Sequence, residues 1–333
     1  MALPDCEVGV INFAICWNSL TLLGTLKSKN PRSYTQSAGN LYTKWFSLKS
    51  FSETTCETSF NFSLFKKHAT TALLPSDDWL TWFIGFSEGD GAILNSKNRL
   101  RFILTQKERA ILDHIQETLG FGTVREFPRF SRFVVEDKAS IELLLYLFNG
   151  NLVLAYRQSQ LARWIELSNQ ETVAAISTLV LPTLSDSWLS GFTDAEGCFN
   201  VQITKRPDTV TGYRVVLRFL LDQKNAFNLL NYISSLFGYG QVSIRNNTDM
   251  VYRYSSNSLA GLLTVRDYFI SYPLKTDKRL SFDRWSIVYE MVLNKEHLTR
   301  EGLDKISLIA KTININNSLN TKTGSAHPSG PSA

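Results

Sequence analysis

One acidic, glycine-bracketed phrase occurs twice in the sequence. It reads GFSEGDGAI at Gly85–Ile93 and GFTDAEGCF at Gly191–Phe199. A second pair of similar stretches follows in the same order, RFILTQKERAILDHIQETLGFGTV at residues 101–124 and RFLLDQKNAFNLLNYISSLFGYGQV at residues 218–242. Ordered self-similarity of this kind is typical of two structural copies of one unit. We therefore expect a pseudo-symmetric fold.

Both copies predict the same order of elements. An apolar helix comes first, with Asp77 or Asp78 as the expected N-cap in one copy and Asp186 in the other. Glycine ends this helix, at Gly91 and Gly197. Two alternating segments, a helix, two further strands and closing helices follow. The predicted class is α+β: two αββαββα units, each a four-stranded antiparallel sheet with helices on one face.

Composition changes along the chain divide it into segments. Residues 1–75 are rich in Ser and Thr and predict a weakly structured N-terminal extension. The first unit is expected at 76–168, a linker at 169–186 and the second unit at 187–318. Residues 319–333 are rich in Gly, Pro and Ser and predict a disordered tail.

The bulk composition excludes several classes of protein. The 333 residues carry a net charge of only +5, which by itself does not indicate a nucleic-acid partner. The cysteines have no metal-binding spacing and are interpreted as reduced thiols; they are Cys6, Cys16, Cys56 and Cys198. The apolar stretch Val8–Leu23 contains too many polar residues for a membrane span, so no membrane partner is expected.

Small residues recur in the helix that carries the repeated phrase. Glycine costs up to about 1 kcal/mol in a helix interior relative to alanine, so its repetition needs a reason. Small residues allow two helix backbones to approach closely. We predict that the two helices pack against each other through Gly85, Gly89, Gly191 and Ala195.

Each of these helices ends in an acid followed by glycine, Asp90-Gly91 and Glu196-Gly197. If the helices pack side by side, the two carboxylates meet at the base of the sheets. Adjacent carboxylates repel, so they favour cations between them, and oxygen ligands indicate Mg²⁺. Two such ions can clamp the attacking and leaving oxygens of a phosphodiester displacement.

Polar residues alternate with apolar ones along the predicted strands. An antiparallel sheet with one apolar and one polar, basic face suits contact with DNA bases and phosphates. Taken alone, such a face is more typical of a sheet exposed to solvent. Beside the paired acids it predicts DNA contact by Arg99, Arg101, Thr105, Arg125, Asn200, Gln202, Thr204, Arg214, Arg218, Ser243 and Arg245.

The stretches FIGFSEGDG (residues 83–91) and LSGFTDAEG (residues 189–197) resemble the LAGLIDADG motif of homing endonucleases, in the single-chain form with two motifs. The resemblance covers about residues 77–316. The first motif departs from the pattern at Phe83, Ile84 and Glu88 but keeps Gly85 and Asp90.

The resemblance implies a saddle over double-stranded DNA and Mg²⁺-dependent cleavage that leaves 3′ overhangs, with another divalent ion such as Mn²⁺ as a substitute. It places the metal at Asp90 and Glu196, with Gly89 and Ala195 in the metal-binding set.

The resemblance also implies supporting residues. Gln106 and Gln223, at the ends of the second strands, would orient water. A basic residue near the start of the last helix would stabilise the charge of the transition state. Lys278 fits this role better than Arg157, and Lys275 is a rival.

The stretch RPDTVTGY (residues 206–213) lengthens one hairpin of the second copy only. We therefore expect unlike half-sites, a monomer and a non-palindromic target. The resemblance further implies an organellar origin, encoded in a mitochondrial intron.

Two other classes of function remain open. Proteins with this motif also serve as maturases that bind intron RNA, with or without nuclease activity, and the fold is also compatible with a non-enzymatic protein that binds DNA or RNA. Retention of both acids favours the nuclease. A dehydrogenase or a phosphate-loop enzyme is disfavoured, because neither GxGxxG nor GxxxxGK[ST] occurs.

Overall fold

The computed structural model describes residues 60–69, 74–96, 99–168, 176, 180–245 and 248–314. The predictions for residues 1–59, for most of the linker and for the tail at 319–333 lie outside these ranges, as do three of the four cysteines. Within the described residues, no helix has the length and apolar character needed to cross a membrane.

The described helices and strands follow the predicted order, with one helix before the first unit and one after the second. The helices are α1 (Ser63–His68), α2 (Asp77–Asp90), α3 (Arg109–Leu119), α4 (Lys138–Phe148), α5 (Ala155–Leu167), α6 (Trp188–Glu196), α7 (Phe227–Phe237), α8 (Leu259–Ser271), α9 (Lys278–Leu293) and α10 (Arg300–Thr312). The strands are β1 (Gly91–Ser96), β2 (Arg99–Gln106), β3 (Thr123–Phe127), β4 (Phe130–Val135), β5 (Gly197–Lys205), β6 (Tyr213–Lys224), β7 (Gln241–Ile244) and β8 (Val251–Ser256).

These strands form two four-stranded sheets with the same topology. The orders are β1-β2-β4-β3 and β5-β6-β8-β7, and the neighbouring strands pair antiparallel. The predicted α+β class with two similar units is confirmed.

The two units meet through α2 and α6, whose backbones touch. A Cβ atom on Gly85 would overlap the carbonyl oxygen of Trp188, and a Cβ on Gly191 would overlap that of Trp82. One turn further on, a Cβ on Gly89 would run into the side chain of Ala195. The spacing of small residues therefore sets how close the two helices lie, as the sequence predicts.

The helices cover one face of each sheet, and aromatic side chains fill the space between them. In the second unit, the ring of Phe199 on β5 lies 5.3 to 5.5 Å from the rings of Phe219, Phe269, Phe282 and Trp285. All five are at most 3% exposed. This packing holds the sheet against α8 and α9, and it leaves the opposite face for polar residues.

Some residues before the predicted boundary at residue 76 pack against the first unit. Phe62 and Phe65 of the first described segment are buried, and α1 packs against α4. Asn61 and Asn151 exchange two hydrogen bonds of 2.8 Å between side chain and backbone. The apolar residues in this Ser- and Thr-rich stretch do not continue into a sustained helical period, so the sequence does not reveal this packing.

The ends of the two central helices differ in detail from the prediction. Ser76, rather than Asp77 or Asp78, caps α2 by accepting a hydrogen bond from the Trp79 backbone N–H. The C-terminal Gly91 has an ordinary φ of −77°. The reason for a glycine here is steric, because a Cβ on Gly91 would overlap the carbonyl oxygen of Ser87.

Candidate active site

Asp90 and Glu196 are the last residues of α2 and α6, and each is followed directly by the first strand of a sheet. A Cβ built on Gly89 would lie 3.1 Å from the Cγ of Glu196, so the two helix ends adjoin. The close backbone contact between the helices therefore brings the two predicted metal-binding acids to one place, between the two sheets.

The carboxylate of Asp90 is half-buried and has one side-chain partner. Its Oδ2 accepts a hydrogen bond of 2.6 Å from the Nε2 of Gln106, at the end of β2. Burial raises the pKa of Asp90, while the bond from Gln106 and the charges of Lys278 and Arg157 oppose that rise.

Glu196 sits in a less compensated position. Burial, followed by the nearby charge of Asp90, raises the pKa of Glu196 to about 7, and the charge of Lys278 opposes this only in part. No donor among the described residues forms a hydrogen bond to its carboxylate. A cation at this position would relieve both the lost hydration and the repulsion from Asp90.

Two basic residues hold the C-terminal ends of the central helices. The Nζ of Lys278 donates to the carbonyl oxygens of Thr193, Asp194 and Ala195 at 2.8, 2.9 and 3.2 Å. Arg157 does the same on α2. Its Nε and Nη2 donate to the carbonyl oxygen of Glu88 at 3.2 and 3.1 Å.

Both predicted basic residues therefore lie at the site, at equivalent positions of the two units. Lys275 does not, because its Nζ lies over the ring of Trp82, 5.7 Å from the centroid. Burial lowers the pKa of Lys278, and the carboxylates of Asp194, Asp90 and Glu196 oppose that shift. Lys278 and Arg157 are thus both electrostatically coupled to the two motif acids, and the effect of Lys278 is the larger.

The two predicted glutamines behave differently. Gln106 binds Asp90, as described above, but the buried Nε2 of Gln223 has no hydrogen-bond partner among the described residues. The Oε1 of Gln223 accepts from the backbone N–H of Lys224 at 3.1 Å. Gln106 thus binds the motif acid of its copy, whereas Gln223 forms no hydrogen bond to Glu196.

Two buried tryptophan–carboxylate pairs cross between the central helices. The Nε1 of Trp82 on α2 donates to Asp194 on α6, and the Nε1 of Trp188 on α6 donates to Glu88 on α2, both at 2.8 Å. All four side chains are at most 5% exposed. Burial raises the pKa of Glu88 to about 7, despite the hydrogen bonds that it accepts. These pairs join the two units beside the motif acids.

These pairs are not among the predictions above, although the sequence contains a signal for them. The spacing W-x₂-G-x₂-[DE] occurs in WFIGFSE at residues 82–88 and in WLSGFTD at residues 188–194. Residues three and six apart lie near one helix face. A tryptophan and an acid on the glycine face of both helices would therefore meet across the interface.

Most of the predicted DNA-binding residues lie on the sheet faces opposite the helices. On β2, Arg99, Arg101 and Thr105 alternate with the buried Phe102 and Leu104. The corresponding face of the second sheet contains Asn200, Gln202 and Thr204 on β5, Arg214 and Arg218 on β6, and Ser243 on β7. Arg245 follows directly after β7.

Several of these basic side chains have acidic or polar partners already. Arg218 donates to Asn200 at 2.7 and 3.1 Å, and Arg125 forms an exposed ion pair of 2.5 Å with Glu136. Their binding to another anion would compete with these contacts.

Three further residues of these faces were not predicted. Asp222 on β6 accepts two 2.6 Å hydrogen bonds from Arg253 and one of 3.1 Å from Arg245. In the first unit, Thr105 lies at the register of Asp222, and Arg132, at the register of Arg253, lies over the rings of Phe127 and Phe130. The two faces therefore differ in charge where they come nearest to the motif acids.

No group of three or more His, Cys, Asp or Glu side chains forms a ready cation site among the described residues. Asp90 and Glu196 supply two carboxylates, so further ligands would be backbone oxygens, water or the substrate. A cavity of about 570 Å³ opens beside Asp90, and Gln106, Glu108 and Lys278 also line it. The arrangement has room for a ligand that completes the coordination of a cation.

Comparisons with known proteins agree with this architecture. The family model described as "LAGLIDADG endonuclease" matches residues 189–289. A "Probable intron-encoded endonuclease 4" of Neurospora crassa is 33% identical over 253 residues, which are 73% of this chain and 46% of that protein. The "Uncharacterized cox1 intron-2 37.2 kDa protein" of Schizosaccharomyces pombe is 28% identical over 81% of this chain and 82% of its own. The chain thus spans about half the length of the first of these relatives.

Solved structures show the same fold. The LAGLIDADG meganuclease I-AabMI, bound to uncleaved DNA, has a TM-score of 0.59 at 24% identity and covers 70% of this chain and 98% of its own. The meganuclease I-SmaMI, bound to its uncleaved DNA target in the presence of calcium ions, has a TM-score of 0.59 at 18% identity, over 71% and 98% of the two chains. With its two glycine-packed motif helices and their paired terminal acids, this chain belongs to the LAGLIDADG endonuclease family.

Proposed function

We propose that this protein is a site-specific homing endonuclease that cuts both strands of a DNA duplex. The observation that carries the proposal is the meeting of Asp90 and Glu196 at two adjoining helix ends, between two sheets with polar and basic open faces. A duplex lying across both faces would present its two backbones to the paired acids. Family membership supports the same activity.

The paired acids fit divalent metal ions. Burial raises the pKa of both carboxylates, and the charge of Asp90 raises that of Glu196 further, which is the environment that a bound cation compensates. Asp90 and Glu196 would hold Mg²⁺ or, as a substitute, Mn²⁺, with backbone oxygens of Gly89 and Ala195 as neighbours. Such ions supply charge stabilisation at the attacking and leaving oxygens of phosphodiester hydrolysis.

The chain's own groups would do the remaining work. Lys278 and Arg157 already hold the carbonyl ends of the central helices, so their positive charge would lie next to the scissile phosphates of a bound duplex. Gln106 holds Asp90 in one orientation. The cut would leave 3′ overhangs, which the family resemblance implies.

The two sheets predict an asymmetric target and a monomer. The strands β5 and β6 have nine and twelve residues, whereas β1 and β2 have six and eight. The longer hairpin reaches further along the duplex, so the two units would read unlike half-sites. Since one chain provides both acids, no second copy is needed. Intron-encoded relatives support a mitochondrial location.

Selection of cleaved molecules from a randomised double-stranded DNA library tests this proposal. Wild-type protein with Mg²⁺ is run beside Asp90→Asn, Glu196→Gln and wild type with a chelator. We expect one asymmetric site of about two helical turns to be enriched, and only by wild type with metal. Failure of wild type to cut any duplex while it binds a structured intron RNA would overturn the proposal in favour of the maturase.

A further inference from the structure

The position of Lys278 depends on how α9 begins. Lys278 is the first residue of this helix, and the first backbone N–H groups of a helix have no partner within it. The four successive N–H groups of residues 275–278 are nevertheless all bonded to side chains. The residues that accept these bonds therefore fix the turn from which the Lys278 side chain projects.

One acceptor, Asp194, belongs to the second copy, like α9, but a residue of the first copy binds it. Asp194 accepts from the N–H groups of Lys275 and Thr276 at 2.8 and 3.2 Å and from the Thr276 hydroxyl at 2.6 Å. Trp82 of the first copy donates to the same Oδ2 atom of Asp194 that binds Lys275. Trp82 thus reaches the α9 turn through one carboxylate.

The second acceptor belongs to the first copy outright. The Oε2 of Glu108 accepts from the N–H of Asp277 at 2.8 Å, a bond between residues 169 apart along the chain. Glu108 lies in the turn between β2 and α3, two residues after Gln106, and lines the cavity beside Asp90. Two residues of this short stretch thus make hydrogen bonds at the site: Gln106 binds Asp90, and Glu108 binds the start of α9.

The reverse arrangement is absent at Arg157. Asn225 stands at the position equivalent to Glu108, two residues after Gln223, and it adopts a left-handed φ of 56°. Its backbone N–H bonds to Met250 within its own copy. The start of α5 is held instead by Glu88, whose Oε1 accepts from the N–H groups of Val153 and Leu154.

We propose that Glu108 is a positioning residue for Lys278, supplied by the first copy to the basic group of the second. Glu108 fixes the Asp277 N–H, and Lys278 follows directly in the chain. Loss of this acceptor would free the first turn of α9 and let the Lys278 ammonium move away from the carbonyl end of α6. Displacements of about 1 Å at a catalytic group are enough to cost up to about 100-fold in rate.

The inference rests on the proposed nuclease function and is tested with the full chain on the duplex that wild type selects from the randomised library. Cleavage of each strand is followed separately with end labels, so that a nicked intermediate is seen. The variants are Glu108→Ala, Glu108→Gln and Lys278→Ala, with Asn225→Gly as the matched control in the second copy.

We expect Glu108→Ala to slow one strand by about tenfold, the same strand that Lys278→Ala slows, with unchanged affinity for DNA in Ca²⁺. Glu108→Gln keeps an acceptor oxygen, and the carboxylates of Asp277 and Asp194 oppose a charge at this position, so it should cut like wild type. Asn225→Gly should also cut like wild type. On a Lys278→Ala background, Glu108→Ala should slow that strand no further, because its effect passes through the ammonium.

Equal slowing of both strands, or an additive effect on the Lys278→Ala background, would show a general structural role and overturn the inference. So would a Glu108→Ala variant that cuts like wild type. If Glu108→Ala does not fold, Glu108→Asp, which keeps the charge and shortens the reach, is read by the same criteria. A wild-type chain that cuts no duplex would instead overturn the proposed function.

Discussion

The two copies share one backbone plan but surround their motif acids differently. In the first copy, Asp90 binds Gln106, and Arg157 holds the end of its helix. In the second copy, Glu196 accepts no hydrogen bond among the described residues, and Gln223 does not bind it. Lys278 takes the place of the arginine. The duplicated elements are those that set helix contact and sheet register, whereas the side chains around each acid have diverged.

This difference distinguishes the residues that the helix contact requires from those that surround the motif acids. Gly85 and Gly191 sit against backbone atoms of the opposite helix, so a larger residue at either position would force the helices apart. The groups around each acid are not part of this close backbone contact, and they differ between the copies. If the protein cuts DNA as proposed, its two strand cuts need not proceed at one rate.

We expect the largest effect from neutralising either motif acid. It would show that Asp90 and Glu196 act together although their surroundings differ. Asp90→Asn and Glu196→Gln should each lower the rate on both strands by at least about 1,000-fold, because each would remove a charge that we propose binds metal at the shared centre. Strand-resolved cleavage of the selected duplex measures this. Chelation of the metal should have an equal effect.

If either variant lost the cut on only one strand, the two acids would not act together. It would mean that each copy holds its own metal and cuts one strand independently. Binding of the uncleaved duplex by both variants is the control that the DNA interface is intact.

The helix interface should be equally intolerant in both copies. Gly85→Ala and Gly191→Ala each place a Cβ inside a carbonyl oxygen of the opposite helix, so the helices must separate. We expect each substitution to lower the free energy of unfolding by about 3 kcal/mol or more. Urea denaturation followed by circular dichroism measures it.

Gly238→Ala is the matched control. A Cβ there meets nothing within 4 Å, but the residue has a φ of +69°, so the cost is limited to backbone strain of about 1 kcal/mol. A Gly85→Ala variant no less stable than this control would contradict the close packing.

The sequence predicts the fold well because repetition and spacing encode it. Two copies of one phrase predict two units, the glycine spacing predicts that α2 and α6 touch, and their contact brings Asp90 and Glu196 together. These inferences need only the periods of helix and strand.

The rest of the site depends on contacts that have no local pattern. Glu108 meets Asp277 across the two copies, and nothing near either residue marks that contact. Gln223 matches Gln106 in sequence, yet its amide turns toward its own backbone. Phe62 and Phe65 dock on the first unit through a segment whose composition predicts little structure. Such contacts are decided by three-dimensional packing.

The raised pKa of Glu196 predicts a pH-dependent cost in stability. Its folded pKa of about 7 exceeds the ordinary glutamate pKa of 4.5, so ionising it opposes folding. The cost is absent below about pH 4.5, grows between pH 4.5 and 7, and is complete above pH 7. In the metal-free protein, Glu196→Gln should therefore add up to about 3 kcal/mol at pH 8 and little at pH 5.

Asp90→Asn sharpens the comparison between the acids. Gln106 already favours the charged form of Asp90, so neutralising this residue should stabilise the protein less. Unfolding free energies from urea titrations at pH 5 and pH 8, in the presence of a chelator, measure both variants. A gain for Glu196→Gln that is as large at pH 5 as at pH 8 would rule out ionisation as its cause.

The smallest expected effect concerns the two glutamines, which the sequence cannot tell apart. Gln106→Ala removes the donor that favours the charged form of Asp90. Cleavage should slow by about tenfold near neutral pH, and its acid limb should move to higher pH, since one hydrogen bond to a charged group is worth about 1.5 to 3 kcal/mol. Gln223→Ala removes a buried amide whose Nε2 has no partner, so its rate should stay within about twofold of wild type.

Strand-resolved pH–rate profiles of Gln106→Ala, Gln223→Ala and the double variant measure this difference. The unpaired Nε2 of Gln223 gives its test a second readout, because removing an unsatisfied buried donor should leave stability unchanged or raise it. If Gln223→Ala slows one strand as much as Gln106→Ala slows the other, the amide must turn toward Glu196 when DNA binds. The difference between the copies would then belong to the free protein alone, and the two halves of the site would become equivalent on their substrate.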